Sequence, residues 1–320
     1  MMLNTIRLLL ALGCGFHCLI SVMAQEDGKP GVLVLAHGGS STWQTAVSDA
    51  VQPLEEMYPV VMAFGMADPV TIQQGLDELK QRAVNEVIVV PLFISSHSPI
   101  IRQTEYLLGI RKELADEPML DHGHDQEEGG EHNNHDAGSK HQHSASQGRL
   151  QPLRTESRMI MAHALDDHPV VADILVERIL ELSHQPDQET IVLVAHGPNG
   201  ESDNRKWVQS MERLSDQIRN LFNMKSGARF RNIFCLTVRD DADTNIYNQA
   251  KEHLRAVVRQ AGKDGEVLVI PLYLSHGGVE RDIVTRLEGL KYEWTGRTLL
   301  PDDRITEFIR HSVLDALRNP

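Results

Sequence analysis

The sequence predicts an α/β protein made of two tandem doubly wound parallel-sheet domains, and three observations predict it. First, the chain contains itself twice. Val32-Leu33-Val34-Leu35-Ala36-His37-Gly38 recurs as Ile191-Val192-Leu193-Val194-Ala195-His196-Gly197. Glu86-Val87-Ile88-Val89-Val90-Pro91-Leu92-Phe93-Ile94-Ser95 recurs as Glu266-Val267-Leu268-Val269-Ile270-Pro271-Leu272-Tyr273-Leu274-Ser275. Two independent blocks in the same order mark an internal duplication. Second, short β-branched runs alternate with longer stretches of helical period, as chains of strand–helix–strand crossovers do. Third, the β-branched runs are apolar without strict alternation, which suits parallel strands covered on both faces.

In the first half, strands are predicted near 32–36, 60–64, 86–94 and 158–163, with helices near 43–57, 69–82, 99–114 and 169–182. In the second, strands fall near 190–195, 230–237, 266–274 and 297–300, with helices near 203–222, 242–261, 279–290 and 302–317. The pattern stops between Glu113 and Arg149. Asp121 to His143 holds six histidines, six acids and four glycines, with no large apolar residue. Such a segment buries too little surface to offset chain entropy, so a disordered insertion at about 116–149 is expected. The expected division is residues 25–186 for the first domain, with this insertion, and 187–320 for the second.

Composition narrows the function classes. With 31 Lys and Arg against 45 Asp and Glu, the formal charge is −14, which argues against nucleic acid or an anionic membrane surface as partner. Met1 to Arg7 is short with one cation, Leu8 to Ala24 is mostly apolar, and Val22-Met23-Ala24 fits a cleavage site before Gln25. Residues 1–24 are therefore expected to be a signal peptide, making the mature protein periplasmic or extracellular, with no membrane attachment after cleavage. An uncleaved anchor fits less well, because Gly13, Gly15 and His17 interrupt the apolar run. Without this export signal the chain would be cytoplasmic. Cys14 and Cys18 lie inside the leader, so the mature chain keeps Cys235 alone and has neither an internal disulfide nor a cysteine-based zinc site.

The chemistry must then rest on histidines and carboxylates. Ligands of doubly wound sheets bind at the carboxyl ends of the strands. His37, His97, His196 and His276 all fall at or just beyond those ends. Four such histidines in a duplicated fold point to metal ligation or base chemistry, since neutral imidazole both coordinates borderline divalent ions and accepts protons. Packing alone rarely places the same ionisable group at both mouths. Arg102 and Arg281 each follow a strand-end histidine by five residues, in the first turn of the next helix. There a guanidinium and the helix dipole suit a ligand carboxylate, or the arginine pairs with a neighbouring acid. The insertion's His122, His124, His132, His135, His141 and His143 offer many weak ligands without fixed geometry, and so a recruitment loop for divalent metal. The chain has no P-loop and no G-x-S-x-G elbow.

At these residues the chain resembles the class II tetrapyrrole chelatases of the sirohydrochlorin cobaltochelatase and ferrochelatase type. The resemblance rests on Leu35-Ala36-His37-Gly38, Met66-Ala67-Asp68-Pro69, Val90-Pro91-Leu92-Phe93-Ile94-Ser95 leading to His97, and Ala164-Leu165-Asp166-Asp167-His168-Pro169. It spans residues 31–115 and 158–320. It implies two similar domains facing across a cleft that takes a planar tetrapyrrole, hence a monomer with pseudo-dimeric halves. It further implies a histidine pair as metal ligand and proton acceptor, matched by His37 and His97, with His196 and His276 as their repeats. No organic cofactor is implied: Co²⁺, or Fe²⁺ or Ni²⁺, is a substrate with the tetrapyrrole. Some members of the family carry a histidine-rich segment. Where the family often has an acid, this chain has Met66. The expected activity is insertion of a divalent metal, cobalt first, into sirohydrochlorin or a related tetrapyrrole. The alternative is an exported carrier of metal or tetrapyrrole without catalysis.

This division of labour predicts the effect of deleting Asp121 to His143. The deletion should lower the number of ions bound and slow insertion at scarce metal, while leaving the maximal rate nearly unchanged, because local concentration falls but the strand-end site remains. A rate-versus-metal curve for both proteins checks it.

Overall fold

A computed structural model describes residues 29–114, 150–277 and 279–319. The proposed leader and the histidine-rich insertion, with its six histidines, lie outside the described residues. In the first repeat the elements run β1 (Gly31–Ala36), α1 (Ser41–Val51), β2 (Val60–Phe64), α2 (Pro69–Gln81), β3 (Glu86–Leu92), α3 (Pro99–Leu107), β4 (Arg158–Met161) and α4 (Pro169–Leu182). The second repeat follows with β5 (Glu189–Ala195), α5 (Glu201–Ser226), β6 (Asn232–Thr237), α6 (Thr244–Asp264), β7 (Glu266–Leu272), α7 (Val279–Arg286), β8 (Glu293–Trp294) and α8 (Arg304–Arg318).

Each repeat forms a four-stranded, all-parallel sheet, in the orders β2-β1-β3-β4 and β6-β5-β7-β8. The chain leaves β1 for β2 on one side and then crosses to β3 on the other, so winding reverses between β1 and β3. The same reversal falls between β5 and β7. Three helices of the first repeat open on a cap followed by proline: Asp68-Pro69, Ser98-Pro99 and His168-Pro169. The cap side chain accepts an otherwise unpaired amide, worth about 1 kcal/mol, and proline has no amide to leave unpaired.

The last strand of the second repeat differs from expectation. Residues 297–300 are not a strand; β8 pairs at Glu293–Trp294, and Leu299 and Leu300 then donate to the carbonyls of Tyr273 and Leu274 (2.9 and 2.7 Å). Gly296, at φ 68°, turns the chain between the two segments.

The last helices also differ from two self-contained halves. α4 packs on α5, α8 and β7, the central strand of the other repeat, while α8 packs on α1 and β3 of the first. The reason is in the sequence of α4. Val170, Val171, Ala172, Ile174, Leu175, Val176 and Ile179 are buried over a wide arc that leaves only the stripe of Asp173, Glu177, Leu180 and Glu181, and so wide an apolar arc must be covered from more than one side. One central core accordingly joins Val32, Val34, Ile88 and Val90 of the first sheet to Ile191, Leu193, Leu268 and Ile270 of the second, through α1, α4, α5 and α8. Each sheet's other face has a core of its own, beneath α2 and α3 in one case and α6 and α7 in the other. Arg178, buried in α4, reaches Asp302 before α8 at 3.2 Å, so the exchanged segments are tied by charge as well as packing.

A shared core should unfold as one unit. Phe308 of α8 is 1% exposed within it. Phe308→Ala should therefore cost about 3–5 kcal/mol, lowering the midpoint of a single denaturant transition followed by fluorescence and circular dichroism. Two separated transitions would mean two independent cores.

Candidate metal-handling site

The carboxyl ends of β1 and β3 flank the reversal of winding, which is where doubly wound sheets open a crevice for ligands. His37 follows β1 directly, and His97 lies five residues beyond Leu92, the end of β3; the strands are paired neighbours up to Ala36 and Leu92. The sheet thus places the two histidines of the first repeat at the same end of neighbouring strands, His37 exposed and His97 partly buried. Surface depressions around Gln81, Arg82, Tyr58 and Lys29 lie at the opposite, amino end of the strands.

The repeated Ala-His-Gly has a geometric meaning. Gly38 and Gly197 take φ of 86° and 76°, a region costly for other residues. At Gly197 an added Cβ would also sit 2.4 Å from Thr237 Cβ. The turn brings each glycine carbonyl back to the preceding imidazole, with His37 Nδ1 2.8 Å from Gly38 O and His196 Nδ1 2.9 Å from Gly197 O. A carbonyl only accepts, so Nδ1 carries the proton. In the neutral ring, Nε2 is left as the nitrogen with the lone pair. Both repeats direct the Nδ1 proton of their histidine to the following glycine carbonyl.

Beyond that point the repeats diverge. His196 Nε2 lies 3.1 Å from Asp241 Oδ2. Burial pulls the His196 pKa down, but the hydrogen bond to Asp241, the charges of Asp241 and Asp240 and the Gly197 carbonyl more than offset it, and the pKa stands above the ordinary value. Asp240 is bonded to the buried Arg286, whose guanidinium lies 3.9 Å over the Tyr247 ring, and burial raises its carboxyl pKa. Arg239 grips the His196 loop by donating to the Pro198 and Asn199 carbonyls and to Glu201. In the first repeat, β2 leads instead into Gly65-Met66-Ala67, which has no side-chain charge.

The second-block histidines are not strict equivalents. Leu165 and Asp166 donate to the carbonyls of Phe93 and Ile94, as Leu299 and Leu300 do to those of Tyr273 and Leu274. On that register His276 stands where the first repeat has Ser96, and Gly277 where it has His97. The exposed His276 is therefore one residue closer to its strand than His97. Arg102 lies on α3 with its guanidinium 2.8 Å from Asp203 of α5, an ion pair between the repeats. The exposed Arg281 lies on α7. Among the described residues no three His, Cys, Asp or Glu side chains form a ready-made metal cage.

Sequence reasoning passed over Asp166, Asp203, Arg239 and Asp241. Asp240-Asp241 had a legible signal, two acids just past a predicted strand at the same end as His196. Asp203 and Arg239 had none, because their partners lie on other elements.

The fold is that of the class II chelatases. Residues 31–182 match the CbiX family model, so the first repeat is similar to that family. No curated protein sequence matches it. Among solved structures it is similar to SirB from Bacillus subtilis with Fe³⁺ (12% identity, TM-score 0.56, covering 91% of this chain and 96% of that one). It is likewise similar to sirohydrochlorin chelatase SirB from Bacillus subtilis subspecies spizizenii in complex with cobalt (13%, 0.52, 91% and 97%). A third is CbiX, the terminal enzyme for biosynthesis of siroheme in denitrifying bacteria (14%, 0.51, 90% and 99%). At these identities the structural likeness establishes the fold.

The His196–Asp241 pair carries its own prediction. Asp241→Asn should lower the His196 pKa, because burial is then opposed only by Asp240 and the Gly197 carbonyl; an NMR titration of the ring protons reads it. The folded pKa is raised, so the pair's stabilisation is complete below the unfolded value and is lost as pH rises through the folded one. The stability gap between wild type and variant should therefore close with rising pH.

Proposed function

We propose that the protein inserts a divalent metal ion into sirohydrochlorin or a related tetrapyrrole, with cobalt as the first candidate and iron and nickel next. The observation that carries this reading is the placement of His37 and His97 at the reversal of winding of a domain similar to the CbiX family, with the His37 tautomer fixed so that Nε2 is the ligating nitrogen. The SirB structures with Fe³⁺ and with cobalt support a metal substrate for this fold but do not choose the metal.

Metal insertion requires two pyrrole N–H protons to leave as the ion enters. His37 and His97 hold the ion, and with only two imidazoles committed, its remaining positions stay open for ring nitrogens. Each of the two pyrrole protons passes to an imidazole whose lone pair is not on the metal or to solvent water. His196 and His276 are proposed as the second repeat's contribution; His196 joins as a ligand only after releasing the proton it shares with Asp241. Arg281 is proposed to hold a ring carboxylate. Arg102 does so only in exchange for Asp203. The tetrapyrrole binds between the repeats, no organic cofactor takes part, and the protein works as an exported monomer that gathers metal on its histidine-rich insertion.

His37→Ala and His97→Ala should each abolish metal insertion while leaving the fold intact, with His196→Ala and His276→Ala milder. Sirohydrochlorin absorbance with each metal, scored for turnover beyond one equivalent, is the measurement. Binding that stops at one equivalent in the wild type would favour the carrier reading. Full activity in the double variant His37→Ala, His97→Ala would remove the first domain from the site.

A further inference from the structure

We propose that Asp166 is the positioning residue for His97, and that the second repeat sets its place through helix α5. This rests on the reading of His97 as a metal ligand. Asp166 closes on the residue next to that histidine. Its Oδ1 accepts from the Ser96 amide at 2.8 Å and its Oδ2 from the Ser96 hydroxyl at 2.6 Å, while Ser96 Oγ accepts from the Ala164 amide at 2.9 Å. The His97 amide donates to Ser95 Oγ at 3.2 Å, and Ser98 caps α3. The backbone on either side of His97 is thereby pinned.

The fold alone does not need this anchor. The second repeat builds the same turn, with the same pair of backbone bonds, yet it has His276 in place of Ser96 and the buried Leu300 in place of Asp166. Asp166 also holds an unfavourable backbone conformation, at φ 40°. A left-handed residue kept only in the repeat that carries His97 points to service of that histidine.

From Asp166 the linkage runs to the other repeat. The next residue, Asp167, takes a two-pronged bond from Arg213 of α5, at 2.8 and 3.0 Å, and its carbonyl accepts from Gln217 at 2.7 Å. Arg213 is itself steadied by Ser210. Asp203, a buried acid in the first turn of α5, holds Arg102 on the helix that follows His97. Residues 203, 210, 213 and 217 recur at helical spacing and so share one face of α5. That face grips the His97 loop from both sides. Groups that orient a metal ligand in this way typically govern metal affinity by about 10–100-fold.

The test compares Asp166→Gly, Asp166→Asn, Arg213→Gln and His97→Ala in the full chain, with melting curves confirming the fold. Glycine keeps the left-handed backbone and removes the carboxylate. Asparagine keeps an oxygen for the Ser96 amide and supports the fold if the glycine variant does not. Asp166→Gly should raise the KM for metal about tenfold or more, with a much smaller change in kcat and in the KM for tetrapyrrole. Asp166→Asn should recover most of that loss, and Arg213→Gln should raise the same KM by a smaller factor. If His97→Ala abolishes insertion while Asp166→Gly and Asp166→Asn leave the KM for metal unchanged, the positioning role is overturned and the assignment of His97 stands. If His97→Ala itself retains full activity, it is the reading of the site that fails.

Discussion

An α-helix with an apolar arc too wide for one neighbour has to be covered from several sides, and α4 imposes that requirement on the whole molecule. No single sheet meets it. α4 is satisfied only by lying against β7, α5 and α8 at once, which draws the second repeat over the end of the first. α8 then fills the vacant place beside α1. The relative placement of the two sheets is therefore a consequence of core packing rather than of a hinge, and it brings the polar face of α5 against the β4–α4 and α3 segments. The contact of Asp167 with Arg213 is partly exposed and worth little by itself, and that of Arg102 with the buried Asp203 is the more shielded of the two. They act on geometry, because the core has already fixed the helices that carry them.

Duplication explains why both repeats have a histidine at the end of the first strand, and local backbone chemistry explains why it is followed by glycine. A residue that must turn the chain at positive φ, while leaving its carbonyl free to accept from the preceding imidazole, is best supplied by glycine. Thus Ala-His-Gly is a unit: strand end, imidazole and the device that selects its tautomer. What lies around the unit has diverged. A carboxylate pair and two well-anchored arginines surround His196, whereas the strand beside His37 ends in Gly65-Met66-Ala67.

Much of this was legible in the sequence because it is local. Strand and helix positions follow from periodicity and caps, and all but one of the eight strands fall where the apolar runs place them. The exception, 297–300, misleads because Thr298-Leu299-Leu300 is buried and rich in strand formers, yet Gly296 has already turned the chain out of the sheet. The helix exchange was hidden: a run such as Val170-Val171-Ala172-Asp173-Ile174-Leu175-Val176 says that two faces must be covered, not by what. Arg102 shows the same limit. Its spacing from His97 is visible, but the acid that claims it comes from another repeat. The one-residue offset between His97 and His276 was in plain view, and only the backbone pairing of the turn makes it meaningful.

The divergence bears on where a metal ion can bind. Both first-strand histidines must keep a proton on Nδ1, so each has only Nε2 to offer. In His196 that nitrogen faces Asp241, and a carbonyl on one side with a carboxylate on the other favours the protonated ring. A cation repels an incoming divalent ion and has no lone pair to give it; coordination there requires loss of a proton from a pair built to keep it. His37 faces no such carboxylate contact at Nε2 among the described residues. The duplicated fold thus presents one imidazole prepared to give a lone pair and one prepared to hold a proton. Metal insertion draws on the first property for the ion, and the two protons it displaces must pass to groups that are not already protonated.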